Sequence, residues 1–447
     1  MEKKQNKILN LFLIYIMIQP VVDVFTSLSV RYLEMSLTIG VLIRTLFMVV
    51  VAIYALVVLD KKDKIKLFIY YALIAVYMIG FLAVSFVENG ASSIIIQMKG
   101  LVRTFYLPVV IAALFLLFRK NRYQISNQVF VATLFLYTAT MFIARLSGAA
   151  FSTYNTGLGV GTVGLYYAAN EIGAILCILA PILVIQLLTQ KLNWGNVVSL
   201  VLLIFAIFEM GTKVPFLGVL GLAFVTIVIC IIQYFAKKDK GYLKKGLATI
   251  GILVVCIFVV GYTPIGNNME RVYGPIFPKI IQVGEEQTTT NNKPITTFQE
   301  FQTESVSGRD EFLKANKEKF FSGSSLDRIF GIGYLTNING EVKETKLVEM
   351  DYFDIFFNQG YLGTIVFFAP IAYIALVTIW NLLKNFKKMI LDPEILLMGY
   401  SVFISFGIAL LAGHVLVAPA VSIYMAVFMI LLYFKVEDLK KQKEIVE

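Results

Sequence analysis

Long apolar runs separated by short polar segments dominate the sequence. Most of these runs have the roughly 20 residues that a helix needs to cross a bilayer. We therefore predict an all-α integral membrane protein with about 12 transmembrane helices. The predicted spans are 8–30, 36–59, 67–87, 101–118, 126–146, 168–188, 196–210, 215–235, 246–263, 354–380, 395–413 and 417–434.

Lysine and arginine in the short segments predict the orientation of the chain, because cytoplasmic loops carry an excess of both residues. The alternate short segments, which we place outside, carry only Arg31, Lys99 and Lys213. We therefore expect a protein of the bacterial cytoplasmic membrane with both termini in the cytoplasm. The basic clusters that follow even-numbered spans or lie at a terminus are at 3–7, 61–66, 119–122, 191, 237–245, 384–388 and 435–443.

One long polar segment, residues 264–352, interrupts the apolar runs and is predicted to be a large extracytoplasmic loop. Nine predicted spans precede it in 1–263, three follow it in 353–434, and 435–447 form a cytoplasmic tail. The loop begins with a polar stretch that we expect to be poorly ordered.

The middle of this loop, residues 307–321, is predicted to be a helix that lies on the membrane surface. Ser307 and Asp310 have the spacing of a capping box. Phe312, Asn316 and Phe320 recur at helical spacing and would share one face.

Composition excludes several classes of protein. Of the 447 residues, 58% are hydrophobic and 15% are charged, which excludes an ordinary soluble enzyme and a disordered chain. The net charge of +10 lies mostly in short clusters between apolar runs, not in a stripe on a soluble face, so no nucleic acid is expected as a partner. The three cysteines all fall inside apolar runs and imply no disulfide framework.

The charged residues inside the predicted spans, together with several next to their outer ends, lie on the outer side of the predicted membrane region. Charge in a membrane is costly and usually functional, although interfacial side chains also snorkel to water. Snorkelling explains Arg44 poorly, because this residue lies deep in the second span. A polar cavity that opens outward explains the set better, and the distribution suits chemistry at the outer face. The set comprises Asp23, Arg44, Arg103, Arg145, Glu171, Glu209, Lys213, Asp351, Asp354 and His414.

Several cations from different helices can hold a phosphate or pyrophosphate, and a carboxylate among them can act as a general base. One histidine and membrane-buried cysteines give no ligand spacing for a metal. The glycine-rich run 157–164 lacks the Lys-Ser/Thr ending of a P-loop and is predicted to be a flexible turn. We therefore expect neither a metal nor another cofactor.

Three glycine motifs occur late in the chain. The pair Gly308-Arg309 precedes the predicted helix, Gly331 and Gly333 form a Gly-x-Gly turn after it, and Gly360 and Gly363 lie at the start of a span. In these motifs the chain resembles the O-antigen ligase and polymerase superfamily. The turn Gly211-Thr212-Lys213 is similar to an outer Ser-Arg turn of that superfamily.

This resemblance implies a metal-independent glycosyltransferase of GT-C type that works at the outer face. It would transfer a glycan from undecaprenyl pyrophosphate to a growing polysaccharide or another glycan or cell-wall acceptor, with capsule or teichuronic acid among the candidate products. By match, Arg309 and Lys213 would bind the pyrophosphate, and the charge pattern adds Arg44, Arg103 and Arg145.

The chain departs from the family at one position. Many ligases have a His-Asn pair about eleven residues before the first glycine of the last motif, which is Gly360 here. At that position this chain has Glu349-Met350. We predict Glu349, Asp351 and Asp354 as the catalytic carboxylates. The alternative is that they only stabilise a helix start. His414 and Glu171 are additional candidates.

The departure favours a polymerase, or a ligase for a wall acceptor, over a lipid A core ligase. Two rivals remain, a flippase or other transporter of lipid-linked oligosaccharide and a peptidoglycan polymerase of the shape, elongation and division type. The absence of an internal repeat in the sequence disfavours the transporter, and we find no motif of the peptidoglycan polymerases.

Overall fold

The computed structural model describes residues 2–35, 37–121, 125–154, 160–277, 309–338, 341–345 and 347–446. This part of the chain is almost entirely helical. Its elements are α1 (Glu2–Leu33), α2 (Ile39–Val58), α3 (Lys61–Asn89), α4 (Ser93–Asn121), α5 (Asn127–Leu146), α6 (Ala169–Thr189), α7 (Trp194–Met210), α8 (Lys213–Lys237), α9 (Lys240–Val260), α10 (Pro264–Tyr273), α11 (Arg309–Ser322), α12 (Ser325–Phe330), β1 (Leu335–Ile338), β2 (Glu341–Glu344), α13 (Asp351–Lys384), α14 (Phe386–Met389), α15 (Pro393–Leu411) and α16 (Pro419–Val446).

Eleven of the described helices are long and apolar enough to cross a membrane. The twelfth predicted span, 196–210, was short in the sequence. It corresponds to α7, which is an apolar helix of only 17 residues. The protein is therefore a polytopic, helical membrane protein. In residues 435–446, which belong to the predicted cytoplasmic tail, α16 continues to Val446, because Lys and Glu are good helix formers.

The chain divides into two compact units. The first unit comprises Met1–Gly40, Gln124–Ser305 and Asn385–Ile404. In it α6 packs against α5, α7 and α8, and α8 packs against α9. Helix α6 is apolar on all sides, and 83% of its apolar 18-residue stretch is buried. It is therefore the core of this unit.

The second unit comprises Val41–Tyr123, Val306–Lys384 and Ser405–Glu447. Helix α4 packs against α3, α13 and α16, and α13 also packs against α16. In both α4 and α16, 78% of the apolar 18-residue stretch is buried. These two helices therefore form the core of this unit.

The helix predicted in the long polar segment is present as α11, with Asn316 and Phe320 on its buried face. Its location on the membrane surface stays a prediction. Its proposed cap Ser307 and the polar stretch before it lie outside the described residues. A capping box does begin the next helix, α12, where Ser324 Oγ accepts the Asp327 N–H at 3.1 Å and Asp327 Oδ2 accepts the Ser324 N–H at 2.7 Å. The antiparallel pair β1–β2, which we did not predict, follows in the same segment.

Helix α13 is kinked at Gly360, whose φ of 65° is unfavourable for other residues. A Cβ atom here would lie 2.5 Å from both Gly331 N and Ile329 O. The Gly-x-Gly turn therefore packs backbone to backbone on the kink, with the Ile332 N–H donating to Phe357 O at 2.9 Å. This contact fixes the first turns of α13, where the predicted carboxylates lie.

Candidate functional site

An ion pair between Arg309 and Glu349 forms the centre of the candidate site in the second unit. Arg309 begins α11, and its Nη2 lies 3.2 Å from Glu349 Oε2. Its Nη1 donates to Leu411 O at 3.4 Å, while its Nε is buried without a hydrogen-bond partner among the described residues. The side chains are 12% and 36% exposed, respectively, so solvent reaches the carboxylate more than the guanidinium.

His414 belongs to the same cluster and lies in the loop between α15 and α16. Burial lowers the pKa of its imidazole, the Glu349 carboxylate raises it, and the cations Arg309 and Arg103 lower it further. The net direction is down from 6.5, so the ring is neutral at pH 7 and one ring nitrogen can accept a proton. From the sequence, His414 was only an additional candidate for this site.

The backbone at Glu349 and His414 is strained. Their φ angles are 62° and 61°, in the left-handed region that side chains other than glycine avoid. Gly413 beside His414 also has a positive φ, and a Cβ there would lie 2.7 Å from Glu349 O. Strain of this kind costs about 1–3 kcal/mol per residue and concentrates at functional sites. The fold therefore holds these two ionisable side chains in a costly, closely packed arrangement.

The carboxylates of Asp351 and Asp354 accept hydrogen bonds from the backbone of the two segments that carry His414 and Glu349. Asp351 accepts the N–H groups of His414 and Val415 at 2.8 Å each and of Leu416 at 2.6 Å. Asp354 accepts those of Val348 at 2.8 Å and Met350 at 3.2 Å. Both side chains are buried. Their oxygens thus accept hydrogen bonds from backbone N–H groups around His414 and Glu349. The prediction that they are catalytic is not tested by this geometry.

Arg103, on α4, lines a narrow space with Asp354, Asn358 and Tyr334. Its Nε is buried and has no hydrogen-bond partner among the described residues. Its charge acts on His414, Asp351 and Tyr334. Arg103 is therefore a second guanidinium that acts electrostatically on the cluster, and its role in binding pyrophosphate stays a prediction. Arg44, on α2 of the same unit, is buried and interacts with its neighbours.

A network of polar side chains around Tyr334 supports the glycine turn. The Tyr334 hydroxyl lies 2.5 Å from Thr104 Oγ1 and 2.5 Å from Gln359 Nε2. The backbone N–H of Tyr334 donates to Gln97 Oε1 at 2.9 Å. The Tyr77 hydroxyl contacts Gln359 Oε1 at 2.8 Å. These residues were not predicted from the sequence. Glutamines inside apolar runs were the available signal.

The first unit holds the other predicted residues. Arg145 Nε lies 2.6 Å from Glu209 Oε1, and the Arg145 side chain is 54% exposed. Thr162 Oγ1 donates to the same carboxylate oxygen at 3.2 Å. Glu171 lies in the first turn of α6 and interacts with its neighbours. Arg145 therefore forms a partly solvated ion pair.

Lys213 begins α8 and follows the left-handed residue Gly211. Its Nζ lies 3.3 Å from the Tyr273 hydroxyl and 4.9 Å from the centroid of that ring. Asn268 Nδ2 donates to Gly211 O at 2.9 Å and to Val160 O at 2.6 Å, which ties the turn to its surroundings. The resemblance-based motif Gly211-Thr212-Lys213 is therefore a tightly held turn that presents one lysine.

The comparisons with known proteins agree with the sequence motifs. A family model described as O-antigen ligase like membrane protein matches residues 5–439, nearly the whole chain. No curated protein and no solved structure matches it. The match extends over both units, including the elements that carry Arg309, Glu349 and His414, and it shows that the chain belongs to the O-antigen ligase-like family of membrane proteins.

Proposed function

We propose that this protein is a metal-independent membrane glycosyltransferase of GT-C type that works at the outer face. It transfers a glycan from undecaprenyl pyrophosphate to a growing polysaccharide or another acceptor. The observation that carries the proposal is the cluster of Arg309, Glu349, His414 and Arg103, in which two guanidinium groups, a carboxylate and a neutral imidazole come together. Membership of a ligase-like family and the many membrane-spanning helices support a lipid-linked glycan as substrate.

The two arginines are suited to the leaving group. A guanidinium is always charged and binds phosphate oxygens with two parallel hydrogen bonds. Arg309 Nε and Arg103 Nε are buried donors without a partner among the described residues, so each arginine has hydrogen-bonding capacity left for an anion. They would stabilise the negative charge that develops on the pyrophosphate as its bond to the sugar breaks.

His414 and Glu349 are the candidate bases. In the proposed step the acceptor hydroxyl oxygen bonds to the anomeric carbon, and the bond between that carbon and the pyrophosphate oxygen breaks with its electron pair going to the pyrophosphate. The hydroxyl proton passes to the neutral imidazole of His414, and Glu349 stabilises the resulting imidazolium. The sequence-based alternative makes Glu349 the base itself. Asp351 and Asp354 position both residues.

The outer-face location rests on the predicted orientation, in which the basic loops are cytoplasmic. Lys213 stays a proposed pyrophosphate ligand by its match to the family turn. Glutamate at position 349, in place of a histidine, favours a polymerase or a ligase for a wall acceptor.

The test is Arg309→Ala in a strain whose only copy of the gene carries the change. We expect the polymer to fall at least about 100-fold, the loss typical of removing one charge-stabilising group from a transition state, with lipid-linked units accumulating on the outer face. Arg328→Ala removes an exposed arginine of the same segment and should leave the polymer unchanged. Wild-type polymer with Arg309→Ala would contradict the proposal, and units trapped on the inner face would indicate a flippase.

A further inference from the structure

The first unit contains a large apolar cavity that none of its candidate site residues, Arg145, Glu171, Glu209 and Lys213, lines. Its volume is about 570 Å³, and it is lined by residues of α6, α7, α8 and α9, with Met269 of α10 and Phe277 beyond it. The hydroxyl groups in its wall are turned back on their own helices, since Thr226 Oγ1 donates to Leu222 O at 2.7 Å and Thr249 Oγ1 donates to Lys245 O at 3.0 Å. The cavity wall therefore suits a hydrocarbon chain.

Lys245 is the charged residue among the described residues that line the cavity, and it lies at one end. Its Nζ donates to Leu188 O at 2.6 Å and lies 5.7 Å from the centroid of the Tyr242 ring. Lys237 Nζ lies 5.6 Å from the same centroid. Five lysines and one aspartate fall within residues 237–245, and this aspartate, Asp239, caps α9 by accepting the Gly241 N–H at 2.7 Å. This end of the cavity is strongly basic.

The cavity is long in the direction of the helices. Its lining runs along α9 from Lys245 to Val260, which at about 1.5 Å per residue is roughly 22 Å. One leaflet contributes only about 15 Å of hydrocarbon. A chain whose head group lies beside Lys245 would therefore remain inside the cavity along its length.

We infer that this cavity binds an anionic glycerophospholipid, with its phosphate at Lys245 and Lys237 and an acyl chain along α8 and α9. Charge complementarity decides the occupant and its direction. The opposite end is lined by apolar residues, among them Val260, Met269 and Phe277. The cations near that end, Lys213 and Arg271, do not line the cavity, and Lys213 Nζ lies 3.3 Å from the Tyr273 hydroxyl. The predicted orientation puts Lys245 in the cytoplasmic leaflet, where anionic lipids give a negative surface potential. The pyrophosphate of an outer-face donor would have to enter from the other end.

The test uses the purified full-length protein and native mass spectrometry with phosphatidylglycerol, phosphatidylcholine or undecaprenyl phosphate. We expect Lys245→Gln to weaken phosphatidylglycerol binding about five-fold, the ratio that corresponds to roughly 1 kcal/mol per lysine at an anionic lipid surface. Phosphatidylcholine binding should not change. Lys244→Gln is the matched control, because this neighbouring lysine is exposed and does not line the cavity.

A second variant, Ala223→Phe, narrows the cavity without changing its charge, and it should reduce retention of phosphatidylglycerol. Equal losses for Lys244→Gln and Lys245→Gln would overturn the inference. Preferential binding of undecaprenyl phosphate over phosphatidylglycerol, or no retained lipid in the wild-type protein, would do the same.

Discussion

The cations in the two units have different surroundings. In the second unit Arg309 is mostly buried, its Nε has no partner among the described residues, and the carboxylate it pairs with belongs to a residue with strained backbone. In the first unit Arg145 is half exposed and paired with Glu209, and Lys213 contacts Tyr273. Arg309 and Lys213 were predicted as pyrophosphate ligands by their match to family motifs, and Arg145 was added from the charge pattern. Their surroundings therefore separate three residues that were predicted to have the same role.

We infer that Arg309, whose buried Nε has no partner among the described residues, is a better candidate for binding an anion than the exposed, paired Arg145. A solvated ion pair is worth about 0–1 kcal/mol and can form wherever two long side chains meet. A buried guanidinium with an unpaired donor is costly unless something binds it. We therefore expect the chemistry to depend chiefly on the cluster in the second unit.

The largest expected effect in that cluster comes from His414→Gln. If the imidazole accepts the acceptor proton, its loss should lower the transfer rate about 100- to 10,000-fold, the usual contribution of a general base. The rate of the wild-type protein should rise with pH as His414 loses its proton, with a midpoint below 6.5.

Two variants shift this pH profile in opposite directions. Glu349→Gln removes the carboxylate that raises the pKa of His414, so the midpoint should move to lower pH. Arg309→Gln removes a cation that lowers this pKa, so the midpoint of the residual activity should move to higher pH. Midpoints that stay fixed, or move together, would exclude His414 as the base and leave Glu349.

Asp351→Asn tests whether this carboxylate positions the loop or reacts. The amide cannot accept all three N–H groups, and the unpaired buried donors should lower the free energy of unfolding by about 2–4 kcal/mol. The measurement is the melting temperature in detergent, with the exposed Asp310→Asn as control. An unchanged melting temperature together with lost activity would instead make Asp351 catalytic.

Lys213→Ala should have a smaller effect than Arg309→Ala. A single charged hydrogen bond from a partly exposed lysine is worth about 1.5 kcal/mol, so we expect roughly ten-fold less polymer. Lys191→Ala removes an exposed lysine of the same unit and should change nothing. A loss as large as that of Arg309→Ala would remove the distinction between the two regions.

Arg145→Ala should have the smallest effect. Because the side chain is 54% exposed and already paired with Glu209, stability should change by no more than about 1 kcal/mol and polymer should be normal. Strong loss of polymer with normal protein levels would show that exposed ion pairs at these helix ends also contribute to the reaction.

The spans, the helix α11 and the late glycines were predictable from the sequence, each for a local reason. A membrane helix needs a continuous apolar run, and α11 has apolar residues at helical spacing. The glycines were found by resemblance to a family. Their reason is structural, since Cβ atoms at Gly331 and Gly360 would collide with backbone.

The arrangement of the site could not be predicted. Asp351 and His414 lie in different segments of the chain, and only the packing of α13 beside the loop before α16 joins them through hydrogen bonds. Similarly, nothing in the sequence indicated that Glu349 and His414 adopt left-handed backbone.

The sequence by itself determined that this is a helical membrane protein of a ligase-like family. The length of the apolar runs, the charge of the loops and the short glycine motifs each depend on residues close together in the chain. The tertiary structure alone decided which charges share a site and which carboxylates are used by the backbone. It also placed Lys245 at the end of an apolar cavity. These relations depend on contacts between distant segments, which no local pattern encodes.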